Sequence, residues 1–202
     1  MRNITEKEAE DLLEKEGFNV AKREFIHNKE ELKKIKINFP WVMKISSKKI
    51  VHKAKVGGVI LNVNHLKEAE KAFDKLKLIK GFEAVLIQEM LPGVQTIVGL
   101  KKTPEFGLVI MFGKGGGNVE QEKDVSFRIT PLSLEDADEM IKEVKFYEIL
   151  KKTSINLDII KKELLSVSKL AEKYPNILEL DINPLIVNSH GATIVDARAA
   201  FE

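Results

Sequence analysis

The sequence predicts an α+β fold with two lobes, and three observations lead to this class. Strand and helix signals are intermixed along the 202 residues without the regular period of strand–helix–strand units. Pro92-Gly93 makes the strongest internal break. The chain closes with an alternating segment, Glu179–Pro184, followed by a turn sequence. We therefore expect lobes at about residues 20–92 and 93–202, with a helix at 5–17 assigned to the second lobe.

Short elements alternate in the first lobe and in the segment before it. Thr5 and Glu8 form the capping-box pattern that begins a helix, and Gly17 ends it. Asn28 predicts the start of a second helix that runs to about Ile37. We also expect an amphipathic helix at residues 64–79. Four short apolar strands are expected at Val20–Ile26, Trp41–Ile45, Val56–Val63 and Ala84–Met90.

The second lobe begins with strands and continues with helices. We expect strands at Thr96–Lys102, Gly107–Phe112 and Val125–Ile129, because each is a short run rich in apolar residues. Ser133 with Asp136 predicts a helix start, and helices should continue to about Tyr174.

The closing segment predicts a hairpin with one polar face. Glu179, Asp181 and Asn183 alternate with apolar residues, so the three polar side chains should share one face of a strand. The sequence Asn188-Ser-His-Gly191 is typical of a hairpin turn.

If residues 188 and 191 flank this turn, Asn183 lies opposite Asp196 and Asp181 lies opposite Arg198. Opposite residues share a face, with Cβ atoms about 5 Å apart. Carboxylate and amide oxygens suit Mg²⁺, and an arginine suits a phosphate. In the alternative interpretation these polar residues only end a strand before a proline, and a slip of one residue would turn Asp196 to the other face.

Composition excludes several classes of protein. The net charge is only +2 and the charges are interspersed, which does not favour nucleic-acid binding. The absence of cysteine excludes disulfides, thiolate catalysis and cysteine-ligated metals. No apolar run approaches the roughly 18 residues of a membrane span, and the first residues lack a signal-peptide core. We therefore expect a soluble cytoplasmic protein that does not bind membranes.

Lysines and glycines in the first lobe point to an anion. Lys44 lies inside an apolar strand, where a lysine needs a negatively charged partner unless its amine reaches solvent. Gly57-Gly58 follows Lys53 and Lys55, so backbone could approach a charged ligand closely there, although a plain turn has the same pattern.

Three further features have both a structural and a functional interpretation. Gly113–Gly117 contains four glycines and is either a flexible connection or an anion-binding loop. Glu89-Met90-Leu91-Pro92 is either a linker or a hinge that offers backbone groups and one carboxylate to the edge of an adenine. His52 is either a solvated histidine or a nucleophile for phosphoryl transfer.

Taken together, these residues resemble the ATP-grasp fold, and most specifically the β subunit of ADP-forming acyl-CoA (acetyl-CoA) synthetases, which are related to succinyl-CoA synthetase. The resemblance implies a single domain over residues 1–202, with a nucleotide cleft between two α+β lobes. The matching blocks, in chain order, are Val42–Ser46, Ile50–Lys53 with Val56–Val59, Gln88–Met90, Phe106–Gly113, Val119-Glu120, Asp124–Arg128, and Glu179–Pro184 with Asp196–Arg198.

The resemblance also implies roles for individual residues. Residues that would bind ATP or ADP are Lys44 and Lys53 on the phosphates, Gly57, Gly58 and Val59 in a loop over them, Glu89 and the Met90 backbone on adenine, and Gln95 on the ribose. Mg²⁺ would be held by Asp181, Asn183 and Asp196. The expected catalytic residues are His52, which would carry a transient phosphate, and Arg128 and Arg198, which would offset phosphate charge.

The implied activity is that of an acid–thiol ligase: acyl-CoA + ADP + phosphate ⇌ carboxylic acid + CoA + ATP. It requires an α subunit that carries the CoA-binding and phosphohistidine domains. Lys55 and Gln95 depart from the family pattern, which has acidic residues at both places. Two alternatives stay open, a stand-alone ATP-grasp ligase that activates a carboxylate, and a non-catalytic nucleotide-binding subunit.

Overall fold

The computed structural model describes residues 1–47, 49–50, 53–117, 123–153 and 155–202. The chain divides into two compact units, Met1–Val20 with Pro92–Glu202, and Ala21–Leu91. Each unit has its own antiparallel sheet and its own cluster of buried apolar side chains. The predicted α+β class is confirmed.

The described residues form eleven strands, five α-helices and two short 3₁₀ helices. The strands are β1 (Arg2–Ile4), β2 (Arg23–Ile26), β3 (Trp41–Ser46), β4 (Val59–Val63), β5 (Ala84–Glu89), β6 (Val94–Thr103), β7 (Gly107–Lys114), β8 (Val125–Ile129), β9 (Ile177–Asn188), β10 (Gly191–Ile194) and β11 (Ala197–Phe201). The α-helices are α1 (Glu6–Lys15), α2 (Leu66–Lys77), α3 (Leu134–Glu143), α4 (Tyr147–Leu150) and α5 (Leu157–Lys173), and the 3₁₀ helices are Lys29–Lys34 and Ala54–Val56.

The larger unit contains a seven-stranded sheet in the order β1-β11-β9-β6-β7-β8, with β10 paired to β9. Alternate strand residues such as Val98, Phe112 and Leu180 join one apolar cluster with the helices of this unit. Gly99 and Asp181 are the next residues along their strands, and they pair with each other in the ladder. They therefore belong to the other face of the sheet, to which the Asp181 side chain points. The sheet thus has a helix-covered face and an open face.

The register of the closing hairpin is the predicted one. Gly191 pairs with Asn188 across a two-residue loop, and Arg198 pairs with Asp181 further along. The backbone N–H of Asn183 donates to the carbonyl of Asp196 at 3.1 Å. A two-residue loop leaves little freedom for slippage, and the buried apolar residues of β9 would be exposed by a shift of one position.

The smaller unit contains a four-stranded antiparallel sheet in the order β2-β5-β3-β4. Met43 and Ile45 from β3 are fully buried in a cluster with Phe73 and Leu76 from α2. Lys44 lies between them in sequence and points to the opposite face, because successive strand residues alternate.

Most predicted elements are present, and the differences have physical reasons. The Thr5–Glu8 capping box is confirmed, with the Thr5 N–H donating to the Glu8 carboxylate at 2.7 Å. The helix expected from Asn28 to Ile37 is only the 3₁₀ helix Lys29–Lys34. Leu32 is its one buried residue, so the segment has too small an apolar face to stabilise a longer helix. The strand expected from Val56 begins at Val59, after a 3₁₀ turn.

No helix among the described residues is both long enough and apolar enough to cross a membrane.

Candidate functional site

Four polar side chains lie together on the open face of the hairpin formed by β9 and β11. Arg198 is opposite Asp181 in the ladder, and Asp196 is opposite Asn183. All four are half-buried. The structure therefore brings together two carboxylates, one amide and one guanidinium at the place predicted from the sequence.

The electrostatics of Asp181 indicate how closely these charges converge. Burial raises the pKa of the Asp181 carboxyl to about 6. The positive charge of Arg198 acts in the opposite direction, whereas the negative charges of Asp196 and Glu179 raise the pKa further. A half-buried carboxylate beside two other carboxylates is costly when it is ionised. A cation or a metal at this face would remove that cost.

Arg198 lies opposite Asp181 without forming a direct ion pair with it. The structure places no ion pair within 4.0 Å between these two residues, both of which it describes. The guanidinium influences the carboxylate only at longer range. Arg198 is therefore positioned to accept an anion, because its donors are not used by a described neighbour.

The glycine run after β7 positions Asn183. The Gly116 N–H donates to Oδ1 of Asn183 at 2.8 Å, and the Asn183 amide nitrogen donates to the Gly116 carbonyl at 3.4 Å. The Gly115 N–H donates to the carbonyl of Gln95 at 2.9 Å. A side chain at Gly115 would place its Cβ 2.4 Å from the carbonyl oxygen of Thr96, so glycine is required there. Sequence reasoning left the role of this run open.

The donor set at this face fits Mg²⁺. Asp181, Asn183 and Asp196 provide oxygen ligands, with one lone pair of the Asn183 carbonyl used by Gly116 and one left over. Within the described ranges, no group of three or more His, Asp and Glu side chains could hold a metal alone. Mg²⁺ has no need of such a group, because it takes one or two carboxylates and completes its shell with water and phosphate oxygens.

Lys44 and Lys53, the two predicted phosphate-binding lysines, are both buried in the smaller unit. Lys44 is 5% exposed and lies in the ladder between Val59 of β4 and Leu86 of β5. An amine in this position is stable as a cation only with a nearby negative charge or several acceptors. The contact of Lys44 with a phosphate stays a prediction.

The Gly57-Gly58 segment is a tight turn in which both N–H groups are used. Gly57 donates to the carbonyl of Ala54 at 3.1 Å, and Gly58 donates to that of Lys53 at 2.8 Å. Gly57 is left-handed, with φ at 68°, and a Cβ on Gly58 would lie 2.4 Å from a methyl group of Ile45. Both glycines are therefore explained by the turn, and its role above phosphates stays a prediction.

Two groups of the hinge already have hydrogen-bond partners within the chain. The Glu89 carboxylate accepts the N–H of Lys22 at 3.0 Å, and the Met90 N–H donates to the carbonyl of Pro40 at 3.0 Å. The carboxylate keeps further acceptor capacity, so the predicted contact of Glu89 and the Met90 backbone with adenine stays a prediction. Among the described residues, the Met90 carbonyl and the Leu91 N–H have no hydrogen-bond partner. These two groups form the donor–acceptor pair that this segment offers.

Arg128 is held by acidic side chains of α3. Its guanidinium donates to Glu143 at 3.0 Å and to Glu139 at 3.1 Å, and Asp136 lies 3.8 Å away. These carboxylates raise the pKa of Arg128, Glu143 most strongly. These carboxylates balance the charge of Arg128, and the ion pairs join the sheet edge to α3. Its expected catalytic role stays a prediction.

The position of His52 lies outside the described residues, as does that of Val119-Glu120. The role of His52 therefore also stays a prediction.

Sequence reasoning missed an apolar groove on the open face of the larger unit. The groove encloses about 790 Å³, and Met111, Phe127 and Ile129 lie along its floor. The signal was present in β8, where Val125, Phe127 and Ile129 alternate with Ser126 and Arg128. The polar residues of this strand face the helices and the apolar ones face outward, because Ser126 and Arg128 both bind Glu143.

Comparisons with known proteins agree with this structure. The profile of the ATP-grasp domain family matches residues 1–200. The β subunit of acetate–CoA ligase (ADP-forming) I of Pyrococcus furiosus is 39% identical, over 98% of this chain and 91% of its own. Acetate–CoA ligase (ADP-forming) II of Archaeoglobus fulgidus is 42% identical over 96% of this chain. This chain spans only 30% of the length of that longer relative.

Solved structures give the same result. Dinucleotide forming acetyl-coenzyme A synthetase 1 of Ca. Korarchaeum cryptofilum, in complex with coenzyme A and Ca-AMPCP, is 36% identical with a TM-score of 0.91, over 100% of this chain and 94% of its own. A second structure of it contains Mg-AMPPCP, and its phosphohistidine segment points towards the nucleotide binding site. The predicted resemblance is thereby confirmed, and the chain belongs to the ATP-grasp family, among the β subunits of the ADP-forming acetate–CoA ligases.

Proposed function

We propose that this chain is the nucleotide-binding subunit of an ADP-forming acyl-CoA synthetase. The reaction is acyl-CoA + ADP + phosphate ⇌ carboxylic acid + CoA + ATP. The observation that carries the proposal is the open face of the closing hairpin, where Asp181, Asn183, Asp196 and Arg198 converge. Acetate is the acid in the names of the most similar relatives. A cytoplasmic location remains part of the proposal.

The residues of this chain would bind and orient Mg·ADP. Asp181, Asn183 and Asp196 would hold Mg²⁺, which neutralises phosphate charge when it is bound. Arg198 would bind a phosphate through donors that no described residue uses. Lys44 and Lys53 would contribute positive charge, and the Gly57–Val59 turn would cover the phosphates.

The hinge and Gln95 would bind the nucleoside. The Met90 carbonyl and the Leu91 N–H are the free backbone pair, so a base that presents one donor and one acceptor would fit them. The exposed side chain of Gln95, which replaces an acidic residue of the family pattern, would hydrogen-bond the ribose without adding charge.

The complete reaction would need an α subunit. That subunit would carry the CoA-binding and phosphohistidine domains, and His52 would relay the phosphoryl group between its histidine and ADP. The observation in favour of this division is that this chain covers 91% of a relative that is itself named a β subunit.

Isothermal titration with ADP tests the nucleotide part of the proposal. We expect binding in the presence of Mg²⁺ and a loss of at least tenfold in affinity with EDTA, because two carboxylates would then face the phosphates without a cation. Asn183→Ala should weaken Mg·ADP binding by a similar factor. Asn176→Ala, an exposed asparagine before β9, is the matched control and should have no effect. Undetectable binding to the wild-type chain would refute the proposal.

His52→Ala separates this function from its two rivals. A relay predicts that ADP binding is kept and that phosphoryl transfer from the partner subunit is lost. A stand-alone ligase or a non-catalytic nucleotide-binding subunit should be insensitive to this substitution.

A further inference from the structure

The apolar groove on the open face of the larger unit is exposed to an extent that requires an explanation. Phe106 is 60% exposed, and Phe127 and Ile129 are each 53% exposed. The three side chains line one groove of about 790 Å³ together with Val109 and Met111. Soluble proteins rarely expose several large apolar side chains side by side, and such patches mark sites where another molecule binds.

The edge strand beside this groove favours a polypeptide as the bound molecule. Within the described ranges β8 pairs only with β7, so no strand covers its other side. One carbonyl of β8, that of Phe127, already accepts an N–H of the Arg128 guanidinium at 2.9 Å. An exposed edge strand with large apolar side chains is prone to pair with another polypeptide. Here β8 turns Phe127 and Ile129 outward and its polar residues Ser126 and Arg128 inward. An apolar surface beside an unpaired strand is suited to a peptide segment.

The size and chemistry of the groove argue against a small polar ligand. The floor is formed by apolar side chains and by Gly99, which offer few hydrogen-bonding groups. About 790 Å³ is far more than phosphate or a short carboxylic acid fills, and it is comparable to sites that take drug-sized molecules or several side chains. The lining also contains charged residues of both signs, as expected for a polypeptide with mixed side chains: Lys101, Arg128, Asp136, Glu179 and Asp181.

The groove also has a defined place relative to the metal-binding residues. Asp181 belongs both to the proposed Mg²⁺ set and to the lining of the groove. Strand β6 begins at Val94, three residues after the hinge residue Leu91. The groove lies along the half of β6 that is farther from the hinge, from Gly99 to Thr103. If the hinge binds the base and Asp181 the phosphate end, the groove lies beyond the last phosphate. That position belongs to the group that exchanges a phosphoryl group with the nucleotide.

We propose that this groove is the docking surface for the phosphohistidine segment of the partner subunit. Apolar side chains of the segment would pack on Phe106, Phe127 and Ile129, and its histidine would approach the nucleotide from the side of Asp181. The inference rests on the proposed function, because it presupposes a partner with such a segment. Beyond the proposed function, the inference names the residues of this chain that would contact the segment and determine which segment fits.

The test uses the double variant Phe127→Thr/Ile129→Thr and the control Ile149→Thr. Threonine suits a strand, and both replaced side chains are more than half exposed, so the double variant should fold. Ile149 is 50% exposed on α4 of the same unit and does not line the groove. Thermal unfolding checks that all three proteins are folded.

Two measurements are made on each protein. The first is ADP affinity with Mg²⁺ and without the partner, which should stay within about twofold of wild type in both variants. The second is the rate of phosphoryl transfer to ADP from the purified partner subunit, labelled on its histidine, at increasing partner concentrations. The double variant should need at least tenfold more partner for half-maximal rate, and the control should not.

Three results would overturn the inference. An unchanged dependence on partner concentration would show that the segment does not use the groove. A tenfold loss of ADP affinity would assign the groove to the nucleotide. Self-association of the wild-type chain that the double variant abolishes, with transfer unchanged, would assign it to a second copy of this chain. Failure of the wild-type chain to bind ADP is a separate result, which would refute the proposed function instead.

Discussion

At the scale of single residues, Asp181 shows a conflict between stability and function. Its carboxylate is half-buried and close to Asp196 and Glu179, and Arg198 only partly offsets this because it makes no close ion pair. Such an arrangement costs folding free energy in the absence of a bound cation, and it persists where a ligand supplies the missing charge.

We predict that Asp181→Asn stabilises the protein free of metal and nucleotide by about 1–2 kcal/mol at pH 7.5, because the amide keeps the shape and removes a poorly solvated charge. The same substitution should weaken Mg·ADP binding at least tenfold, since it removes a proposed ligand. Urea unfolding in EDTA gives the first quantity and isothermal titration the second.

Asp74→Asn is the control for the stability measurement, because Asp74 is 57% exposed and its pairing with Lys29 contributes little. Its free energy of unfolding should stay within about 0.5 kcal/mol of wild type. A destabilised Asp181→Asn protein would mean that this carboxylate is satisfied within the fold.

At the scale of elements, the turn after β7 connects two strands of the candidate site. Gly115 is bonded to β6 through the Gln95 carbonyl, and Gly116 is bonded to β9 through the Asn183 side chain. The glycines therefore act as spacers that allow the turn to lie against β6 while it holds the Asn183 amide.

Gly115→Ala should destabilise the protein by about 1–3 kcal/mol and weaken Mg·ADP binding, because its Cβ would lie 2.4 Å from the Thr96 carbonyl oxygen and push the turn away from Asn183. Gly117→Ala is the matched control, since its Cβ would meet no atom within 4 Å. Thermal unfolding and titration with Mg·ADP check both variants. Equal behaviour of the two variants would show that the turn does not position Asn183.

The closing hairpin could be predicted residue by residue, whereas other elements could not. In β9 the alternation determines the face and the two-residue loop determines the register, so both local signals agree. Strand β1 was not predicted, because its three residues carry no periodic pattern and it is defined only by pairing with β11.

Two features of the candidate site depend on contacts distant in sequence. The guanidinium of Arg128 is bound by Glu139 and Glu143, whose alignment with β8 depends on how α3 packs. The Glu89 carboxylate is bound by the N–H of Lys22, which is 67 residues earlier. Pairings of this kind leave no local signal, so the role of each charge could be predicted only in general terms.

At the scale of the whole molecule, each unit has an apolar core of its own. Leu164 and Phe112 belong to the core of the larger unit, and Phe73 and Ile45 to that of the smaller one. The groups proposed to bind the nucleotide are shared between the units, with the acidic set in one and Lys44 and Lys53 in the other. Ligand binding should therefore leave a signature in both units.

We predict that Mg·ADP slows backbone hydrogen exchange in peptides from both units, around β9–β11 and around β3–β4. At a nucleotide concentration of about 100 times the Kd, the free energy of unfolding should rise by about 2.7 kcal/mol. Adding EDTA should reduce both effects, because Asp181 and Asp196 would then repel the phosphates. Protection confined to the smaller unit would mean that the hairpin does not bind the nucleotide, and protection confined to the larger unit would remove Lys44 from the site.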